Sequence, residues 1–209
     1  MKVEKSHKAY WPHEHHKTHG VYHYLLPFPL FHFSLFTLSL FTFFLTSCNK
    51  VEETYSRHVA RFVFQNTQSV TQLNSALNSL GEFCTITARN NQYIFHSPGI
   101  REDFPYERTA ADVKAGYVLG LSGLIVGIPI LTEQLSNQNR VVCFDLACPK
   151  CYEDNNITRA MTLKENQHVV CGRCNRSYDL NTQGIADDGS KLYRYQVSYG
   201  NNTLVINNQ

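Results

Sequence analysis

Phe144-Asp-Leu-Ala-Cys148-Pro-Lys-Cys151 is followed, after 19 further residues, by Cys171-Gly-Arg-Cys174-Asn-Arg-Ser-Tyr178-Asp-Leu180. Two C-x2-C pairs separated by roughly fifteen to twenty residues have the spacing of a metal site. A two-residue spacer lets both sulfurs of a tight turn face one ion, and Pro149 and Gly172 are residue types that make such turns easily. The four cysteines Cys148, Cys151, Cys171 and Cys174 are therefore the candidate ligands. Disulfide frameworks share these spacings, so paired cysteines stay open as the alternative.

Working outward, the residues on both sides of each pair read as strands. Arg140-Val-Val-Cys-Phe-Asp-Leu delivers the chain to Cys148, and His168-Val-Val runs into Cys171. Tyr152 to Asn156 reads as a polar loop and Ile157 to Leu163 as a further strand, so each knuckle is expected on a hairpin tip. Beyond Cys174, a turn at Gly184 precedes Leu192 to Tyr199, and Gly200-Asn-Asn leads into Thr203-Leu-Val-Ile, a closing hairpin.

Upstream, Arg57 to Phe64, Phe83 to Ala88 and Gln92 to His96 have strand character, the last two joined by Arg89-Asn-Asn. Val70, Leu73, Leu77 and Leu80 recur at three- and four-residue steps and predict one short helix, ended by Gly81. Ser97 to Asp112 reads as a loop. The uncharged run Ala115 to Thr132 is long, but Gly116, Gly120, Gly123, Gly127 and Pro129 interrupt it. It fits buried sheet centred on Leu124-Ile-Val-Gly-Ile better than a membrane helix. The pattern predicts an all-β fold, a small sandwich or barrel with one short helix in its N-terminal part.

The amino terminus has a different character. No Asp, Glu, Lys or Arg occurs from Thr18 through Asn49, and Phe28 to Leu45 is strongly apolar with lysines upstream. These are the parts of an export signal. Leu45-Thr-Ser-Cys48 resembles the lipobox of bacterial lipoproteins, which implies cleavage before Cys48 and lipid on that residue. On this reading residues 1–47 are the signal peptide, 48–56 a lipidated tether and 57–209 the β domain, with its core at 115–209. The protein is then expected in the cell envelope, outside the cytoplasm, held to the periplasmic or outer membrane face. An uncleaved membrane anchor gives the same side. The histidines His13, His15, His16 and His19 lie in the segment to be removed and receive no function.

Of the seven cysteines, Cys84 and Cys143 are left over, either bridged or buried as free thiols. The net charge of +2 resides before Cys48, where four lysines face two glutamates. A neutral body lacks the clustered cations of a nucleic-acid binder. No Ser-His-acid set or Gly-rich phosphate loop suggests an enzyme.

Taken together, the strand ending at Cys148-Pro, the run Val170-Cys171-x-x-Cys174-Asn-x-x-Tyr178-Asp-Leu180, the Gly184 turn and the closing strands resemble the Rieske iron-sulfur domain. The chain is similar more closely to exported Rieske-like lipoproteins of Bacteroidetes, strongly from about Leu124 to Asn207 and weakly before it. The resemblance implies two cysteine-bearing loops stacked at one end of a small β-sandwich around a [2Fe-2S] cluster, and electron transfer to a redox partner protein. The family's loops each carry one Cys and one His, and the His pair raises the cluster's potential. Here Lys150 stands at the first His position and Cys174 at the second. Four thiolates suit a structural Zn2+, a single iron or an all-Cys [2Fe-2S] cluster. Asn175 stands where the family has Gly, and Asn tolerates the left-handed backbone conformation. His168 is a polar strand residue or a substitute ligand.

Overall fold

In the computed structural model, which describes residues 55–131 and 141–208, short strands dominate and form three antiparallel sheets. The largest has six strands: β2 (Phe83–Arg89), β3 (Gln92–His96), β4 (Phe104–Glu107), β5 (Leu124–Gly127), β6 (Val142–Asp145) and β11 (Arg194–Tyr195), in the order β11-β6-β5-β2-β3-β4. A second sheet joins β1 (Ala60–Gln65), β13 (Thr203–Asn208) and β12 (Val197–Gly200). The third sets β10 (Ile185–Ala186), β9 (Ser177–Asp179), β8 (His168–Val170) and β7 (Thr162–Leu163) side by side.

Strand periodicity divides the interior in two. Successive side chains point to opposite faces. From β2, β5 and β6, Cys84, Ile86, Leu124, Val126 and Cys143 enter one core, with Phe62, Phe64, Leu204 and Ile206 of the three-stranded sheet. Phe83, Ile125, Val142 and Phe144, one residue out of phase, enter a second core with Val169, Tyr178, Leu180 and three of the knuckle cysteines. The second core exists because β5 and β6 are buried on both faces, which explains why Leu124 to Val126 and Val142 to Phe144 are apolar at every position. Each large side chain buried here contributes on the order of 1.5–3 kcal/mol.

Two hairpins have the turn chemistry anticipated for them. Asn90-Asn91 joins β2 to β3 and Asn201-Asn202 joins β12 to β13, all four residues at positive φ. Two-residue loops of that shape match the twist of the flanking strands. The helix α1 (Thr71–Asn78) forms within the stretch the apolar spacing marks, with Leu73, Ala76 and Leu77 buried, but it ends at Asn78 with Ser79 as its C-cap, short of Gly81, and leaves Leu80 exposed beyond it.

Several expectations need correction. The mostly β fold stands, but three α-helices occur among the described residues rather than one. Ser97 to Asp112 contains β4 and the start of α2 (Ala110–Ala115), which Thr109 and Asp112 cap reciprocally. Tyr152 to Asn156 belongs to α3 (Pro149–Asn155) and its C-cap, and of the strand expected over Ile157 to Leu163 only β7 forms. Polar surface residues hid α3, while its boundaries are marked: Pro149 opens it, and Asn156 ends it at φ 56.

Cys84 and Cys143 are free, buried thiols. Both stand opposite Val126, one on each side of β5. Two strand spacings, about 9.5 Å, separate them, which is beyond disulfide reach. Among the described residues no helix is long and apolar enough to cross a membrane. The apolar leader, Cys48 and the turn expected at Ser136 to Asn139 lie outside the described residues.

Candidate metal centre

The first knuckle grows out of the central strand β6. Its last residue, Asp145, is fully buried and fixes the path of the backbone into Cys148. One carboxylate oxygen, Oδ1, accepts the Ala147 N–H at 2.6 Å. The other accepts the Leu121 N–H at 2.6 Å and the Tyr195 hydroxyl at 2.5 Å. Burial raises the Asp145 pKa, and these donors oppose the shift. Gly120 completes the clamp: at φ +65, a Cβ there would lie 2.3 Å from Asp145 Oδ2. Leu146 donates to the Gly123 carbonyl and accepts from the Met161 N–H, both at 2.9 Å. The chain is thus held from both sides just before the first ligand.

Cys148 is the N-cap of α3, so the first knuckle opens a helix instead of tipping a hairpin. Helical geometry places Cys151 one turn on, facing the same side. The second knuckle does sit on a hairpin. Val170 pairs with Ser177, the Cys171 N–H donates to the Arg176 carbonyl at 2.9 Å, and the Asn175 N–H donates to the Cys171 carbonyl at 2.9 Å. Asn175 has φ 56, the left-handed conformation anticipated at that position.

All four sulfurs lie within 4.8 Å of one another. Cys148 Sγ is 3.6 Å from Cys174 Sγ, and Cys151 Sγ is 3.6 Å from Cys171 Sγ. A tetrahedral ion with bonds of about 2.3 Å to sulfur has sulfur–sulfur edges of about 3.8 Å. The donor set therefore fits one tetrahedral ion. Cys148, Cys151 and Cys171 are 0%, 4% and 2% exposed, whereas Cys174 faces solvent.

The thiols are not equivalent. Burial pushes Cys148 up, opposed by the Cys151 N–H and the Tyr178 hydroxyl, which lies 3.7 Å from its sulfur. Cys151 is pushed up to about 12 by burial and by neighbouring sulfurs. Burial also raises Cys171, but the N–H groups of Cys174 and Arg173 outweigh it and bring the thiol down to about 7. A bound cation would deprotonate every ligand outright.

The sequence singled out the four cysteines, and the structure brings all four together. His168 is not among the converging ligands, since its Nδ1 sits 2.9 Å from the Asn166 carbonyl. Asp145 and Tyr178 stand in the stretches that frame the cysteines, but their part in holding the knuckles, like that of Tyr195, was not legible in the sequence. A lone acid in the apolar run Val141 to Leu146 was the one signal for the first. Lys150 and Asp154 pair on the exposed side of α3 at 2.9 Å, and Arg176 pairs with Asp188 at 2.5 Å beside the second knuckle. No protein-family model matches the chain, and comparisons with curated proteins and with solved structures find no match.

Proposed function

We propose that this protein is a membrane-tethered metal-binding lipoprotein whose Cys148, Cys151, Cys171 and Cys174 hold one tetrahedral ion in a Rieske-like β domain. The observation that carries this reading is the convergence of four sulfurs within 4.8 Å, three of them buried. A two-iron cluster interposes bridging sulfides and sets its two cysteine pairs at opposite ends. That requires some sulfurs to lie farther apart than the width of one tetrahedron, so the cage favours a single ion over [2Fe-2S].

Four thiolates leave no open coordination position, which suits structural Zn2+. In that role the ion ties α3 to the β8–β9 turn, and the binding free energy becomes folding free energy of the small sheet. A second reading, electron transfer by a single iron to a redox partner protein, is favoured by Cys174. That ligand is exposed and gives a partner direct access to the centre. The resemblance of the knuckle region to Rieske domains supports the same architecture, with a thiolate in place of the second histidine ligand.

The test is metal and sulfide analysis of protein purified without oxygen, together with its visible spectrum. One zinc per chain and no colour is the expected result. One iron with thiolate charge-transfer bands supports electron transfer, and two irons with acid-labile sulfide overturn the single-ion reading. For the tether, Cys48→Ala is expected to abolish lipid labelling and to leave the leader uncleaved. Unchanged labelling refutes lipidation at that residue.

A further inference from the structure

Three cysteines of the cage are sealed and one is open, and the short sulfur contacts cross between the knuckles. From these two facts we infer that Cys174 is a thiol–disulfide exchange site for small disulfides, through which the metal centre converts to cross-knuckle disulfides, Cys148–Cys174 first. The inference rests on the metal-site reading above.

Four cysteines allow three pairings. The geometry separates them. Both 3.6 Å contacts, Cys148 with Cys174 and Cys151 with Cys171, join the first knuckle to the second. A disulfide across the knuckles forms between sulfurs that are already in contact.

Access selects the order. Exchange needs a thiolate that the incoming disulfide can reach in line, and burial blocks that approach. Cys174 is exposed, while the other three thiols are almost completely covered. Around it the second knuckle is uncrowded, with Arg173 exposed and nothing within 4 Å of the place where a Cβ on Gly172 would stand.

The chemistry closes without a further reactant. The Cys174 thiolate attacks a disulfide RSSR, forms a mixed disulfide and expels RS⁻. The Cys148 thiolate then attacks the Cys174 sulfur, forms the Cys148–Cys174 bond and expels the second RS⁻. Two protein thiolates are oxidised and one RSSR is reduced. A divalent ion held by the four thiolates would keep its oxidation state and be left with only Cys151 and Cys171 as ligands. Cys151 and Cys171 then face each other, and a second RSSR couples them by the same two steps once the buried pair opens. The product keeps α3 joined to the β8–β9 turn covalently, so the small sheet survives loss of the ion. In an oxidising compartment such a centre reports on the supply of metal against disulfide.

The experiment treats the full-length, zinc-loaded protein with 4,4′-dithiodipyridine and follows thiopyridone, zinc release and peptide disulfides together. Two thiopyridones per zinc released, with Cys148–Cys174 as the first linkage mapped, is the expected result. A first linkage of Cys148–Cys151 or Cys171–Cys174 overturns the inference. Substoichiometric iodoacetamide provides a second readout on the same protein and is expected to label Cys174 before the other three; first labelling of a buried knuckle cysteine also overturns it. Should the purified protein bind no metal, the site reading fails separately. Disulfide mapping on the reduced, metal-free chain still tests the pairing.

Discussion

Replacing Asp145 by Asn tests whether the clamp beneath the first knuckle positions the metal centre. Asp145 accepts three donors, the N–H groups of Leu121 and Ala147 and the Tyr195 hydroxyl, at 2.5–2.6 Å. An asparagine offers one acceptor oxygen, and its NH2 must face one of the backbone N–H groups in either orientation. The Tyr195 hydroxyl can rotate to accept, but a backbone N–H cannot. One buried donor is therefore orphaned, a cost of about 1–3 kcal/mol. Burial disfavours the charged carboxylate, so neutralising it returns part of that cost. The expected net loss is about 1–2 kcal/mol. It should emerge in urea denaturation of the reduced, metal-free protein. In competition with a chromogenic chelator, Asp145→Asn should bind metal more weakly, because Ala147 immediately precedes Cys148. Tyr195→Phe removes a hydroxyl on the side of the carboxylate away from Ala147. It should cost about 1–2 kcal/mol of stability and leave the metal affinity near that of the parent. The double variant should lose less than the sum, since both changes act on one network. Unchanged stability in Asp145→Asn, or equal metal affinities in all three variants, would refute the clamp.

Gly120→Ala should lower stability by about 2–4 kcal/mol in the same denaturation assay, because a left-handed backbone and a displaced Asp145 acceptor add. Asn175→Gly should be neutral within about 0.5 kcal/mol, whereas Asn175→Val, β-branched at φ 56, should cost about 1–2 kcal/mol and weaken metal binding. The pH dependence comes from Asp145, whose folded pKa lies above its ordinary value of 3.8. The folded state holds that proton more tightly, so the stability it confers is present below 3.8 and is lost as pH rises through the raised folded value. Denaturation midpoints of the parent minus those of Asp145→Asn should decline across that window, and a rising difference would contradict the sign. Removing the ion with a chelator should reduce amide-exchange protection about tenfold or more in α3 and the β8–β9 hairpin, while β1 and β13 keep theirs.

What could be read along the chain was local. The Asn90-Asn91 and Asn201-Asn202 turns and the buried positions Leu73 and Leu77 of α1 each arise from preferences of a few neighbouring residues, and each lies where the residues place it. Spacing selected Cys148, Cys151, Cys171 and Cys174 for the same reason, because a C-x2-C pair is nearly a complete knuckle by itself. α3 was misread because its surface residues are polar and only its caps mark it. The partition of the sheet into two cores belongs to tertiary structure. It depends on β5 and β6 being covered on both faces, and an unbroken apolar run does not say what covers it. The same holds for Asp145: its meaning comes from Leu121 and Tyr195, 24 and 50 residues away. Sequence alone determined which atoms could bind a metal. Only the fold decided that their sulfurs meet within one tetrahedron, with Cys174 left open to solvent, because long-range strand pairing sets those distances and exposures.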